Sequence, residues 1–332
     1  MRRSATVVLT TVVMLGLLLP ACQGSPNGTL SATEQPRIAV AMSGSVDDAS
    51  WNAAAYHALQ ALTLEGIAVT YAEDVSVADA PQMLREYAEQ GIPLVIGHSS
   101  HFEQALLGAA SAHAGVSFAW PGGKDSMVAN IADYDAPFYE AAYPIGIIAG
   151  HMNKTGWVGA VYGLEVPQCY AMAQAFWQGA RSVDPDIGLS AIVVGDWDDA
   201  DRARDAMVSW DSSADFWITC GRGPVLGAIE FVRERGGHVT GYLTDMSEHA
   251  PDVVLLSLVW NLEPLYQRML DDIEAGSFGE EFYGTGLADG VLQVVYNNAL
   301  EGQIPPEAIA AAEQALVDIR SGALVVPYEP GK

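Results

Sequence analysis

The chain has 332 residues, half of them hydrophobic, with 41 acidic against 15 basic side chains and a formal charge of −26. That balance excludes a nucleic-acid binder, which needs a basic face, and a polybasic membrane patch. It suits a soluble exported surface, and the length accommodates two domains.

Arg2 and Arg3 precede an uncharged apolar run, Ala5 to Leu19, which ends in LLPAC. This reads as a secretory leader, too short for a spanning helix. The LPAC end resembles the bacterial lipobox, so Cys22 is expected to be acylated and to anchor a chain that is otherwise soluble. Residues 1–21 are then the signal peptide, and 22–36, rich in Gly, Ser, Pro and Asn, a flexible tether. Of the other cysteines, Cys169 and Cys220 suit either a disulfide in an exported protein or two buried thiols. No zinc spacing is present, and no cofactor is expected.

Ten short apolar runs rich in Val and Ile follow. RIAVAM, IAVTYAED, PLVIGHS, VSFAWPG and MVANIAD come first, then WVGAVYG, LSAIVVGDW, DFWITCG, HVTGYLTD and VVLLSLVW. Amphipathic stretches such as DAPQMLREYAEQG and HFEQALLGAASAHAG separate them, with Gly at the helix stops. Continuous apolar strands alternating with helices predict parallel sheets covered on both faces. Ten strands are too many for one compact sheet, so the expectation is an α/β protein of two doubly wound lobes with a cleft between them. The first lobe spans 37–150, with a return segment at about 262–300. The second spans 151–261, with a C-terminal helix within 304–332. FYGTGLADGVLQVVYNN reads as a paired, non-parallel addition.

Ligands of open parallel sheets bind beyond the carboxyl ends of the strands. In the first lobe those positions hold Asp48, Trp51 and Asn52, then Ser99 and Phe102, then Asn130. In the second they hold Trp197, Arg222, Asp245, Trp260 and Asn261. Aromatic faces with carboxylates, amides and little basic charge suit a flat, neutral, nitrogen-rich ring. Each has a plainer reading: packing for Trp51, Trp260, Tyr134 and Tyr139, and local capping for Asp245. CGRGPVLG has Leu226 where a dinucleotide loop needs its third glycine, so it predicts a tight turn or a close backbone approach. His98 and His101 lie in a loop without a carboxylate set, which argues against a metal site and places His98 along the cleft or the surface. No motif supplies an activated water or nucleophile, so binding rather than catalysis is expected.

DDASWNAAAYHAL, FYEAAYPIGIIAGHMNKTGWVGAVYG, PQCYAMAQAFWQGARSVDPDI, GDWDDADRARDAM, GYLTDMS and DGVLQV together resemble the basic membrane protein (BMP) family, purine-nucleoside-receptor-like binding lipoproteins of ABC importers. The resemblance covers nearly all of the mature chain. It implies a monomeric type I periplasmic-binding-protein fold that holds a purine base or nucleoside between its lobes and delivers it to a permease. It matches the family's first-lobe aromatic and Asn to Trp51 and Asn52, with Asp48 nearby, and its second-lobe acid to Asp245. Nucleoside-binding members carry a ribose-contacting Lys where Trp260 and Asn261 stand, so the resemblance leans toward a free, adenine-like base. A sensor of the same fold and an exported nucleoside-processing enzyme are the alternatives.

Overall fold

The computed structural model describes residues 27–29, 35–122, 130–210, 213–279 and 282–331. The leader and Cys22 lie outside them. The chain runs β1 (Asn27–Thr29), β2 (Ile38–Met42), α1 (Trp51–Leu64), β3 (Val69–Ala72), α2 (Ala80–Glu89), β4 (Leu94–His98), α3 (Glu103–Ala112), β5 (Ser117–Pro121), β6 (Ile131–Asp135) and α4 (Phe138–Met152). It continues through β7 (Trp157–Tyr162), α5 (Pro167–Val183), β8 (Gly188–Val193), α6 (Ala200–Trp210), β9 (Phe216–Cys220), α7 (Arg222–Arg235) and β10 (His238–Leu243). Then come β11 (Val254–Trp260), α8 (Glu263–Ala275), β12 (Phe282–Gly284), β13 (Leu292–Tyr296) and α9 (Pro306–Ser321).

Each of the ten apolar runs contributes a strand, β2 to β11. The first sheet has the order β1-β3-β2-β4-β5-β6-β12 and the second β13-β11-β10-β9-β7-β8. Within them β2 to β6 and β7 to β11 pair in parallel. Every residue of β2, β4 and β9 is buried. That is the condition of a strand covered on both faces, and it explains why these segments read as continuous apolar runs.

Two expectations need correction. The tether expected to be flexible throughout contains β1, antiparallel to β3. Without β1, β3 would be an exposed edge, and an exposed edge recruits whatever backbone can pair with it. The expected paired addition divides instead. β12 joins β6 in parallel, and β13 joins β11 antiparallel in the other sheet.

The chain passes between the sheets three times: after β6 through α4, after β11 into α8, and between β12 and β13. α4 packs against α5 and on the second sheet at β9, β11 and β13. The approach is close enough that only glycine fits. A Cβ at Gly146 would lie 1.9 Å from the Phe176 carbonyl oxygen, and one at Gly179 would lie 2.0 Å from that of Tyr143. The YPIGIIAG and FWQGA stretches within the two longer segments quoted above are thus the contact of two helix backbones. Among the described residues, no helix is long and apolar enough to cross a membrane.

Candidate functional site between the lobes

A cavity of about 390 Å³ opens between the lobes. Its first-lobe wall comes from the segments after β2 (Asp48, Trp51, Asn52), β4 (Ser99, His101), β5 (Pro121, Gly122) and β6 (Asp135, Phe138). Its second-lobe wall comes from the segments after β7 (Gln168, Cys169) and β8 (Trp197, Asp198), and from Cys220, Gly221, Arg222 and Tyr242 around the ends of β9 and β10. The strand-end rule therefore locates both walls.

The first-lobe wall is held by its own hydrogen bonds. Asp48 Oδ1 accepts from the backbone N–H of Ser50 (2.8 Å) and Ala53 (2.9 Å). Its Oδ2 accepts from the N–H of Asn52 (2.9 Å) and from Asn52 Nδ2 (2.7 Å). Four donors satisfy a carboxylate, so Asp48 serves the orphan donors at the start of α1. Asn52 Oδ1 in turn accepts from the Gly44 N–H at 3.3 Å.

Trp51 is half-buried and presents part of its indole to the cavity. Its Nε1 donates to the His98 carbonyl at 3.2 Å, and its ring stacks on His98 with centroids 5.0 Å apart at 29°. Behind it lies Trp260, 4.9 Å away at 51°. His98 is fully buried, with Nε2 3.0 Å from the Trp51 carbonyl and Nδ1 2.7 Å from the Tyr134 hydroxyl. A carbonyl can only accept, so Nε2 donates to it and Nδ1 accepts from Tyr134. Burial lowers the His98 pKa to about 4, against smaller opposing effects of the Trp51 carbonyl and Asp48. The ring is neutral at pH 7 and acts as a fixed spacer behind the indole.

Five expected contacts do not line this cavity. Trp260 is buried against Trp51, Tyr134 and Phe138 and forms the backing of the wall. Asn261 donates its backbone N–H to Val291. Asp245 is exposed and accepts from the N–H and hydroxyl of Ser247 in a local turn. Phe102 is buried in the separate core between the first sheet and α2 and α3. Asn130 Nδ2 sits within 3.2 Å of the carbonyls of Ala110, His113 and Val116 and ties down the end of α3. A strand end carries residues on both sides, and their sequence positions do not say which side faces the cleft.

The second-lobe wall is seated differently. Trp197 lies on the ends of β7 and β9 because glycines leave room for it. A Cβ at Gly163 would meet its ring at 2.5 Å, and one at Gly221 at 3.0 Å. Gly221 also has φ 120°, outside the range of an ordinary side chain. Gly223 lets α7 approach the Asp198–Asp199 backbone, where a Cβ would come within 2.7 Å. Both glycines of CGRG thus accept the loop that carries Trp197. Asp198 has its backbone N–H bonded to Asp196 Oδ1, while its carboxylate accepts no hydrogen bond from any described residue. Cys169 in the first turn of α5 and Cys220 at the end of β9 form a disulfide, with Cα atoms 5.7 Å apart. The alternative left open by the sequence is decided for the bridge, which ties two cavity-lining segments together.

Among the described residues, three hydrogen bonds cross between the lobes. Arg222 Nε donates to the Asp48 carbonyl (3.2 Å), Thr244 Oγ1 to the Ala49 carbonyl (2.7 Å), and Gln168 Nε2 to Asp135 Oδ2 (3.1 Å). The Thr244 contact is flanked by two non-glycine residues at positive φ, Ala49 at 54° and Leu243 at 64°. Backbone of that kind costs about 1–3 kcal/mol per residue and collects at ligand clamps. Among the described residues, no cluster of three His, Cys, Asp or Glu could hold a metal.

The family model described as ABC transporter substrate-binding protein PnrA-like (Bmp) matches residues 35–321. The chain belongs to that family. A Bmp protein is an extracytoplasmic solute-binding protein of an ABC transporter, not an enzyme. A purine-binding protein of Brucella abortus is 27% identical over 261 residues, covering 78% of this chain and 72% of that one. A putative ABC transporter glucose-binding protein of Haloferax volcanii is 22% identical over 276 residues, covering 82% and 70%. The solved ABC transporter solute-binding protein of Conexibacter woesei superposes with TM-score 0.74 at 22% identity, covering 88% of this chain and 99% of that one. At that identity the likeness speaks to fold alone, the two-lobed type I periplasmic-binding-protein arrangement.

Gln168, Asp135, Asp198 and Tyr242 line the cavity and were not singled out as contacts by sequence reasoning. Asp198 stood beside Trp197 in GDWDD and was legible there. Gln168 lies in the first turn of a helix and gave no signal.

Proposed function

We propose that this Bmp protein captures a purine, a free base in preference to its nucleoside, and presents it to an ABC permease from a lipid anchor at Cys22. One observation carries the reading: two indoles, Trp51 and Trp197, line one cavity from opposite lobes. A flat ring entering the cleft stacks on Trp51, which His98 and Trp260 hold from behind. Closure brings Trp197 toward its other face. Asp198 accepts from a ring N–H or exocyclic amine, and Tyr242 and the serines of the first-lobe loops supply further edge contacts. Asp48 and Asn52 hold the loop rather than the ligand. Among the described lining residues Arg222 is the lone Lys or Arg, which favours a neutral ligand over a phosphate. The named relative from Brucella supports the purine class. The lack of a lysine after β11 supports the base over the nucleoside.

Thermal unfolding of the tether-truncated, refolded protein tests this against bases, nucleosides, pyrimidines and sugars. A ligand of the native state raises the melting temperature by mass action. A shift with adenine or another purine base is the expected result. A shift with glucose and with no purine overturns it.

A further inference from the structure

The hydrogen bonds that cross between the lobes are not equivalent. Gln168 and Asp135 both line the cavity, and so do Arg222 and Asp48. Thr244 and Ala49 do not. The bond from Thr244 Oγ1 to the Ala49 carbonyl therefore joins the lobes without either partner facing what the cleft holds. At 2.7 Å it has the length of a well-formed O–H···O bond. Thr244 is buried, and a buried hydroxyl needs a partner.

The backbone on both sides is bent to make this contact. Among the described residues, three other than glycine have positive φ, and two of them meet here: Ala49 itself and Leu243, directly before Thr244. Such backbone persists only where its surroundings hold it. The turn that Thr244 grips also seats the ring contact. Ala49 lies between Asp48, whose carboxylate gathers the donors at the start of α1, and Trp51, the first residue of that helix. Fixing the Ala49 carbonyl thus fixes the Trp51 plate against the second lobe.

We propose that Thr244 latches the lobes closed from outside the cavity, and so sets the share of the protein that is closed before any solute arrives. Thr244 is then a positioning residue for capture. Apparent affinity scales with the share of the binding-competent arrangement, so the latch raises affinity by one common factor for every solute. The net value of such a bond corresponds to roughly two- to tenfold. The latch does not depend on the purine reading, because neither of its partners touches the ligand.

The test measures the distance between the lobes in solute-free protein by pulsed electron paramagnetic resonance. Spin labels go on Val77→Cys in the first lobe and Val208→Cys in the second, both at exposed positions. Cys22→Ser leaves the introduced pair as the free thiols, since Cys169 and Cys220 are bonded. Relative to Thr244, the closed-to-open ratio is expected to fall about two- to tenfold in Thr244→Val, which replaces the hydroxyl with a methyl, and in Thr244→Ala, and to return in Thr244→Ser. An unchanged ratio in the valine and alanine variants, an equal loss in the serine variant, or no closed population with Thr244 in place overturns the latch. Calorimetric titration of adenine into the same proteins should show affinity falling with the closed share. A loss of adenine affinity at an unchanged ratio would make Thr244 a ligand contact and also overturn it. Adenine binding to none of the proteins removes the purine reading, while the distances still decide the latch.

Discussion

The two walls of the cleft are built by opposite means. The first-lobe wall engages its polar groups on itself: Asp48 with four donors, Asn52 with Asp48 and Gly44, His98 with Trp51 and Tyr134. What remains for a ligand there is mainly an aromatic face. The second-lobe wall is positioned by a disulfide and by glycines under Trp197, and it keeps a carboxylate, Asp198, with no described partner. A fixed plate on one side and open polar groups on the other suit a ligand that is first stacked and then read as the lobes close.

The disulfide offers the largest test of that contrast. It closes a loop of 51 residues' separation, for which chain entropy gives about 4 kcal/mol. Replacing both cysteines with serine is expected to lower stability by about that amount in denaturant unfolding and to weaken ligand binding through the second-lobe wall. Equal stability with and without the bridge would place the clamp elsewhere.

His98 tests the first-lobe wall. Its folded pKa of about 4 lies below the usual value of 6.5, so the unfolded chain binds the proton first as pH falls. Its contribution is therefore complete above pH 6.5 and is lost down to about pH 4, by about 3 kcal/mol. Urea titrations across that window should show a steeper loss for the wild type than for His98→Gln. Parallel curves would mean that the imidazole is not held neutral in the fold.

Trp51→Ala comes next. A base stack is worth about 1–3 kcal/mol, so affinity should fall about 5- to 150-fold in calorimetry, with Trp51→Phe retaining most of it. Full affinity in the alanine variant would shift the main ring contact to Trp197. The smallest effect is expected from Asp198→Asn. Exchanging a charged for a neutral acceptor should cost about 1.5 kcal/mol, roughly tenfold, for an amino-bearing purine. An equal loss for a purine without the amine would assign Asp198 a structural role.

The sequence by itself determined the ten strands, because a strand buried on both faces has to be apolar at every position, and it pointed to the segments following the strands as those that line the cleft. It also named the two indoles that line the cleft. It did not separate Trp51 from Trp260, since both follow apolar strands and only packing puts one in the cavity wall and the other behind it. It placed Asp48 and Asn52 at the ligand; both line the cavity, and only the fold shows that they also bond to each other and to the start of α1. The disulfide joins residues 51 apart, and the Gln168–Asp135 bond joins residues 33 apart on different lobes. Neither separation leaves a local signature. Both depend on where α4 and α5 carry the chain between the sheets, and that is a property of the folded molecule alone.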